Sequence, residues 1–283
     1  MADVEPNFPL RTVGIAGLGL IGGSLALALR ARGVHVTGWD RPAVLASARE
    51  RAMIDEAASH PGALCAADIT VLAVPVGAIL ELLPQLAPHR PRCLTDTGST
   101  KAVIVAQAAR HQLAFCGGHP LAGSEHNGLA AAREDLFHSA PWIFCPPDAA
   151  VANDLRVRCQ AMAVLAGARP VWLPAARHDR LMALLSHAPQ IISTAMASAL
   201  ARELVDDPEA LSLAGPGLRS MLRLAGSSYS LWRDIALTNQ ESIAGALSSF
   251  EQEIEHLRGQ LSTRELERAF NAAGEIYQRS RHE

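Results

Sequence analysis

The chain has 283 residues, of which 49% are hydrophobic, with a formal net charge of −3 and a pI of about 6.4. This length suits one or two domains of roughly 150 residues each. Because the charge is slightly negative and no basic face is evident, nucleic acids and anionic membranes are not expected as partners.

The cysteines indicate the compartment. There are five of them, an odd number, and none has the spacing of a metal site. Most lie in apolar runs, so we predict buried free thiols, a cytoplasmic location and no metal. The N-terminus lacks the basic segment of a signal peptide, and the most apolar stretch, residues 13–29, is shorter than the ~18 residues of a membrane span.

Short β-rich runs alternate with helical runs in the first part of the chain. The predicted strands are residues 12–16, 34–39, 68–74, 93–96, 114–117, 141–145 and 170–173. The predicted helices are residues 20–32, 42–51, 76–86, 101–111 and 149–166. This alternation is typical of an α/β domain with a parallel sheet, which we assign to residues 1–173.

The pattern becomes helical after residue 173, and no further strand is predicted. The predicted helices are residues 177–204, 217–224, 231–261 and 263–281. We therefore predict an all-helical C-terminal domain, residues 174–283. It contains more helix than a small globule can bury alone, which indicates a homodimer that associates through these helices.

A glycine-rich turn follows the first predicted strand. Gly17, Gly19 and Gly22 form a GxGxxG pattern, with Leu20 and Ile21 between the last two glycines. The first glycine permits a tight turn, the second lets the backbone approach a pyrophosphate, and the third lets the helix pack on the strand. Phosphates are attracted to the helix N-terminus. These five residues are therefore predicted to bind a dinucleotide in a Rossmann-type domain.

Residues at later strand ends complete the predicted cofactor site. Asp40 ends the second strand about 20 residues after the motif, where a carboxylate binds ribose hydroxyls and repels a 2′-phosphate. This favours NAD over NADP. Arg41 could stack on adenine, accept a 2′-phosphate, or be a solvated surface residue. Val74 and Pro75 end a buried strand and are predicted to lie beside the cofactor. The alternative is a glycine turn in another α/β protein, with Asp40 as a helix N-cap.

Two further segments, residues 96–101 and 117–125, follow later strands and should reach the same sheet edge. The second contains His119 in a glycine-rich loop. Histidine suits proton abstraction near neutral pH, so His119 is a candidate base, and the hydroxyl of Ser99 could orient its ring. A purely structural histidine is the alternative.

Five segments together carry a family resemblance. They read GLGLIGGS (17–24), DTGSTK (96–101), GGHPLAGSE (117–125), HDRLMALLSHAP (178–189) and LRSMLRLAGSSYSLWRDI (218–235). With them the chain resembles the prephenate/arogenate dehydrogenase family of tyrosine biosynthesis. The resemblance implies a Rossmann domain followed by a helical dimerisation domain. It also implies NAD-dependent oxidative decarboxylation of prephenate to 4-hydroxyphenylpyruvate, or of arogenate to tyrosine.

The resemblance also implies roles for particular residues. His119 matches the family's catalytic histidine, which takes the proton of the ring hydroxyl, and Ser99 matches the serine that positions it. Arg223 matches the arginine that anchors a substrate carboxylate, a task suited to a bidentate guanidinium. His187 matches a histidine near the substrate side chain, and Ser124 lies in the loop that closes on substrate.

Some positions leave alternatives open. Leucines flank Arg223, and Gln190 stands where a second histidine is usual, so the details of carboxylate binding are not determined by the resemblance. Arg223 could instead pair with an acid, and His187 could be a core histidine. His178 and Asp179 are expected to cap the first helix of the second domain rather than to take part in chemistry.

Other protein classes share part of this sequence pattern. β-Hydroxyacid dehydrogenases and imine reductases also join a Rossmann domain to helices, but they usually place a catalytic lysine in the helical domain, whereas the single lysine here is Lys101. A non-catalytic dinucleotide sensor would not need His119, Ser99 and Arg223 to converge. The segment 223–233 contains no acid to meet the ammonium group of arogenate, which favours prephenate.

Overall fold

The computed structural model describes residues 9–124, 126–147 and 152–281. The chain divides into a first unit, Met1–Met182 with Ser227–Asn239, and a second unit, Ala183–Gly226 with Gln240–Glu283. The domain boundary at residue 173 stays a prediction.

The described part of the first unit contains one eight-stranded sheet. Its strands are β1 Thr12–Ala16, β2 His35–Trp39, β3 Glu56–Ala57, β4 Ile69–Leu72, β5 Leu94–Asp96, β6 Phe115–Pro120, β7 Pro141–Cys145 and β8 Arg169–Trp172. Their order across the sheet is β3-β2-β1-β4-β5-β6-β7-β8. The first six strands have the Rossmann order, and their pairs are parallel, which confirms the predicted fold class.

The end of β6 differs from the sequence expectation. Phe115 and Cys116 pair in parallel with β5, but residues 117–120 pair antiparallel with β7. His119 therefore lies on a strand opposite Ile143, whereas we predicted a loop after the strand. Adjacent glycines are weak strand formers, so the pattern alone ended the strand too early. The antiparallel partner, distant in sequence, extends it.

Helices flank the sheet and make up the second unit. They are α1 Leu20–Arg30, α2 Pro42–Glu50, α3 Val76–Leu86, α4 Ala102–Arg110, α5 Ala152–Leu165, α6 Ala175–Met182, α7 Ala188–Glu203, α8 Pro216–Leu222, α9 Tyr229–Thr238, α10 Gln240–Gln260 and α11 Glu265–Arg281. Two apolar clusters form the core of the first unit, one including Ile15 and Leu25 and the other Leu72 and Ile79. Burying each such side chain contributes about 1.5–3 kcal/mol.

Two predicted long helices are interrupted. Predicted helix 177–204 contains a π-helical turn, Ala183–His187, just before Pro189, whose missing N–H cannot continue the ordinary hydrogen-bond ladder. Predicted helix 231–261 breaks at Asn239, which leaves helical geometry with φ −131°. Its side chain donates a 2.8 Å hydrogen bond to the carbonyl of Asp179, so α9 belongs to the first unit and α10 to the second.

The described residues of the second unit are helical or irregular and contain no strand. Across the whole described part of the chain, none of the helices combines the length and the apolar character needed to cross a bilayer.

Candidate active site

In the turn between β1 and α1, the fold requires glycine at two of the three motif positions. Gly17 has φ +91°, and a Cβ there would lie 2.4 Å from the carbonyl oxygen of Ala73. A Cβ on Gly22 would lie 1.9 Å from the carbonyl oxygen of Gly17. In contrast, a Cβ on Gly19 would meet no described atom within 4 Å, so packing does not explain this glycine. Its open face is where a phosphate would approach the backbone.

The start of α1 fits an anion. Gly19 is the N-cap, and it supplies no side-chain acceptor. The first backbone bond back to this turn is from Gly23 to Gly19, so the N–H groups of Leu20 and Ile21 precede the regular ladder. Unsatisfied donors and the positive end of the helix dipole favour phosphate here. The turn therefore fits the dinucleotide predicted from the motif.

Asp40 lies at the end of β2 beside this turn. Its carboxylate accepts hydrogen bonds of 2.7 Å from the backbone N–H groups of Leu18 and Arg41. It does not act as the N-cap of α2, since that position belongs to Arg41 and has no side-chain cap bond. The carboxylate is 17% exposed, and Arg41, at 86% exposure, extends into solvent.

A cavity of about 670 Å³ opens at this edge of the sheet, and its lining includes Gly17, Asp40, Arg41 and Val74. Val74 reaches the turn itself, because its Cγ1 would be 2.6 Å from a Cβ on Gly17. Pro75 follows as the exposed N-cap of α3. The predicted cofactor residues are thus adjacent to one cavity or to the helix start beside it.

A buried ion pair organises the neighbouring strand ends. Asp96, at the end of β5, pairs with Lys101 and accepts hydrogen bonds from the N–H groups of Gly98 (2.8 Å) and Gly118 (2.9 Å). Both charged side chains are fully buried. Removing one partner of such a pair costs about 3–5 kcal/mol, because the other charge is left uncompensated. The pair joins β5, β6 and the start of α4, and it gives Lys101 a structural role.

His119 is held by a chain of side chains from α6. Its Nδ1 lies 2.9 Å from Nε2 of His178, and Nδ1 of His178 lies 2.7 Å from Oδ1 of Asp179. The two imidazole rings meet edge to face, with centroids 5.1 Å apart. His178 is completely buried, whereas His119 is partly accessible. The partly accessible ring of His119 therefore lies at the carboxyl edge of the sheet, and the buried side chains of His178 and Asp179 support it from the interior.

Asp179 also caps a helix other than its own. Its two carboxylate oxygens accept hydrogen bonds from the backbone N–H groups of Lys101 (2.7 Å) and Ala102 (2.8 Å) at the start of α4. The expectation that His178 and Asp179 cap the first helix of the second domain is therefore wrong. Both residues lie inside α6, which belongs to the first unit and packs against α4 and β7.

Electrostatics favour the neutral form of His178. Burial lowers the pKa of His178 below its ordinary value, and the positive charge of Lys101 acts in the same direction. The carboxylates of Asp179 and Asp96 oppose this without reversing it. His178 is therefore an uncharged hydrogen-bonding residue at neutral pH.

The two predicted serines lie on loops of the first unit. Ser99 is half-buried in the loop after β5, and its predicted hydrogen bond to His119 is not among those formed between described residues. Ser124 is exposed and accepts a 3.1 Å hydrogen bond from the N–H of His126. It borders a cavity of about 700 Å³ that also includes Arg133. Glu125, in the same predicted segment, lies outside the described residues. The roles of both serines stay predictions.

The remaining predicted residues lie in the second unit. Arg223 is exposed at the start of a short 3₁₀ turn, and His187 is buried at the end of the π-helical turn. Two α7 side chains hold the segment around Arg223: Ser193 donates to the carbonyl of Met221 (2.6 Å), and Gln190 donates to that of Leu224 (2.8 Å). Gln190, the departure from the family pattern, therefore supports the backbone on which Arg223 stands.

Sequence reasoning missed the contribution of α9 to the first unit. Asp234 accepts a 2.9 Å hydrogen bond from the N–H of Gly77 in the first turn of α3, and Thr238 lies 2.8 Å from the hydroxyl of Thr100. Asp234 directly follows the acid-free segment 223–233. No sequence signal pairs these residues, because their partners are more than 130 positions away.

Two family models match the chain. The model described as "Prephenate dehydrogenase, nucleotide-binding domain" covers residues 25–168, and "Prephenate dehydrogenase, dimerization domain" covers residues 174–273. Together they span most of the chain.

Known proteins agree with these matches. A prephenate dehydrogenase of Bacillus subtilis is 32% identical over 273 residues, covering 92% of this chain and 72% of the relative. The crystal structure of a prephenate dehydrogenase from A. aeolicus, in complex with hydroxyphenyl propionate and NAD+, superposes with a TM-score of 0.83 at 27% identity. It covers 98% of this chain and 99% of that one. A Synechocystis arogenate dehydrogenase gives a TM-score of 0.81 at 30% identity, with coverages of 94% and 99%.

Proposed function

Because this chain belongs to the prephenate dehydrogenase family, we propose that it oxidises and decarboxylates prephenate with NAD+, forming 4-hydroxyphenylpyruvate in tyrosine biosynthesis. The observation that carries the proposal is the position of His119. It stands at the carboxyl edge of the sheet that holds the dinucleotide turn, and a buried hydrogen-bonded chain supports its ring. In open α/β sheets, ligands bind at this edge.

The reaction requires a base at one defined atom. A hydride leaves C4 of the substrate ring, and the nicotinamide supplies the acceptor for it. His119 takes the proton of the C4 hydroxyl as the carbonyl forms. The bond from C1 to its carboxylate then breaks, CO2 departs, and its electron pair makes the ring aromatic. The net reaction releases no proton, so His119 returns its proton to the phenolate oxygen. A group with a histidine pKa suits both transfers.

Other residues bind the substrate in this proposal. Arg223, on the backbone held by Ser193 and Gln190, binds a substrate carboxylate through its guanidinium. His187 is assigned a place near the substrate side chain, Ser124 lies in a loop that closes on the substrate, and Ser99 has the role of orienting the His119 ring, although the described residues form no hydrogen bond between these two. These roles are supported by the matching motif positions and by the placement of Ser99 and Ser124 on loops of the first unit.

Selectivity for NAD+ is proposed to depend on Asp40. Two backbone N–H groups fix its carboxylate at the rim of the cavity. A fixed negative charge there accepts hydrogen bonds from ribose hydroxyls and repels the 2′-phosphate of NADP+. Arg41, at 86% exposure, is accessible enough to stack on the adenine.

Prephenate is proposed as the preferred substrate over arogenate. The segment 223–233 contains no acid, and Asp234, the next residue, is already bound to the N–H of Gly77. A site selective for arogenate would profit from a carboxylate facing the ammonium group. Some use of arogenate is compatible with the same site, because the two substrates share the reacting ring.

A cytoplasmic homodimer is proposed. Large apolar side chains are exposed on the second unit, which matches the dimerisation-domain model. They include Leu185, Val205, Leu213, Leu261, Phe270 and Ile276. Exposed apolar surface of this kind marks association sites. All five cysteines are free and buried, as expected in a reducing compartment.

The alternative enzymes and the sensor are less well supported. The single lysine is consumed by the buried pair with Asp96 and lies in the first unit, so no lysine serves as the catalytic residue of a helical domain. A sensor would have no use for a partly accessible histidine held by two buried side chains.

The test is NADH formation at 340 nm with prephenate, with arogenate and with neither, together with identification of the product. We expect NADH and 4-hydroxyphenylpyruvate in equal amounts with prephenate, and a lower kcat/KM with arogenate. NADH formation with neither substrate, or its absence with both at millimolar concentration, would contradict the proposal.

A further inference from the structure

We infer that His178 and Asp179 are positioning residues that hold His119 in one tautomer, with its proton on Nδ1 and its lone pair on Nε2. The inference deepens the proposed function and rests on it in one respect only, the assignment of His119 as the base. The sequence pattern predicts a helix cap for both residues, and the resemblance to the dehydrogenase family does not imply this task for them.

The donors and acceptors in the series His119, His178 and Asp179 can be assigned by starting from Asp179. The Asp179 carboxylate accepts hydrogen bonds from the N–H groups of Lys101 and Ala102, so it acts as an acceptor at the start of α4. His178 must then donate its Nδ1–H to Oδ1 of Asp179 over 2.7 Å. A neutral imidazole carries one proton, so Nε2 of His178 is an acceptor.

The same logic determines His119. Its Nδ1 lies 2.9 Å from the acceptor nitrogen of His178, so Nδ1 of His119 carries the proton. Nε2 then carries the lone pair, and it is the nitrogen that takes the substrate proton. The other tautomer would bring two lone pairs together across this 2.9 Å, partly buried contact. The hydrogen bond made by one ring nitrogen thus sets the chemistry of the other.

The residues around His178 keep it neutral and thereby maintain these hydrogen-bond directions. His178 is fully buried. Among the described residues, its ring contacts His119, and the charged groups that shift its pKa are Asp179 from its own helix, Asp96 from the end of β5 and Lys101 from the start of α4. Burial and Lys101 lower the pKa of His178, so it remains neutral when His119 gains a proton. In addition, Asn239 donates to the carbonyl of Asp179 and fixes the α6 backbone.

The direct test is the tautomer of His119, read from the ring nitrogens of ¹⁵N-histidine-labelled full-length protein without substrate. The His119 signal is assigned by its loss in His119→Asn, and spectra are taken at a pH where the ring is neutral. We expect the proton on Nδ1 of His119. A proton on Nε2 would overturn the inference. Because no substrate is present, this result is independent of whether the chain acts on prephenate.

Variants of His178 test the effect on the rate. His178→Leu removes the acceptor, and kcat for prephenate should fall roughly 10²-fold, the cost of a misplaced catalytic group, with KM changed less than threefold. His178→Gln places an amide oxygen where Nε2 was, and it should restore most of kcat. His111→Leu, at the far end of α4, is the matched control and should leave kcat unchanged.

The variants also separate positioning from folding. A purely structural role would lower the thermal stability of His178→Leu and His178→Gln alike and would leave kcat per folded molecule intact. Equal kcat in the wild type and His178→Leu, with both folded, would overturn the inference. If neither the wild type nor His178→Leu oxidises prephenate, but the proton of His119 is found on Nδ1, the proposed function is wrong and the inferred tautomer is correct.

Discussion

Two parts of the first unit differ in how they are built. The dinucleotide turn comes from one continuous stretch, residues 12–41, in which β1, α1 and β2 follow each other, and the groups that fit a phosphate are backbone N–H groups at the start of α1. The His119 centre is assembled from β6 and α6, whose contacting histidines are 59 positions apart. The first part has its geometry set by glycines, and the second by buried side chains.

This difference indicates that cofactor binding and proton transfer depend on separate sets of residues. The turn needs only space and unsatisfied donors, so its residues should influence cofactor affinity and selectivity. The His119 centre needs one proton at one atom, so its residues should influence kcat. Substitutions in each part should therefore leave distinct kinetic signatures.

The largest effect is expected at His119. His119→Asn keeps a hydrogen-bonding group of similar reach but removes the base, so kcat should fall roughly 10²–10⁴-fold. The Kd for NAD+, measured by fluorescence titration, should remain within about twofold, and His111→Asn serves as the matched control. A large loss of NAD+ affinity in His119→Asn would break the separation between the two parts.

Substitution of Arg223 should give a third kinetic effect, mainly on KM for prephenate. Arg223→Ala removes a charge-assisted contact to a substrate carboxylate worth about 1.5–3 kcal/mol, so KM for prephenate should rise roughly 10- to 100-fold, with a smaller fall in kcat. Arg219→Ala, which removes an exposed arginine of α8, is the control. If both variants raise KM equally, then general charge rather than a specific contact attracts the substrate.

Asp40 should change selectivity. Asp40→Ser removes the repulsion of a 2′-phosphate, so the ratio of kcat/KM for NAD+ over NADP+ should fall roughly tenfold. Glu56→Ser removes a nearby exposed carboxylate that does not line the cavity, and it should leave the ratio unchanged. A wild-type enzyme that prefers NADP+ in steady-state kinetics would refute the role given to Asp40.

The smallest effect on catalysis is expected at the proposed dimer surface. Phe270→Asp places a charge on an apolar α11 position that is 72% exposed in the single chain. Light scattering at micromolar concentration should show a dimer for the wild type and for Asn271→Asp, and a smaller species for Phe270→Asp. A monomeric wild type would contradict the proposed homodimer.

The same contrast explains which features the sequence predicted. The fold class and seven of the strands followed from local periodicity, and the cofactor edge followed from glycine spacing and Asp40. The position of His119 on a strand could not be predicted in this way, because it depends on pairing with β7. The helix break at Asn239 could not be predicted either, because it depends on a hydrogen bond to Asp179. The two-residue β3 is too short to leave a pattern. Long-range contacts of this kind leave no local signal.

His178 and Asp179 illustrate the limit most clearly. In sequence they form a polar pair near the start of a helix, which is typical of a cap. In the structure they stand behind His119 because α6 packs on α4 and β7. The spatial relation of two helices separated by more than 60 residues, and not the residue types, gives the pair its position.

The pH dependence of kcat/KM for prephenate tests the central claim most directly. If His119 must be neutral to take the hydroxyl proton, kcat/KM should rise with pH through a single histidine ionisation and reach a plateau above it. His119→Asn should lose this step along with most of its turnover. A step that persists in His119→Asn at near-normal turnover would contradict the account and place the base elsewhere, with His187 the next residue to test.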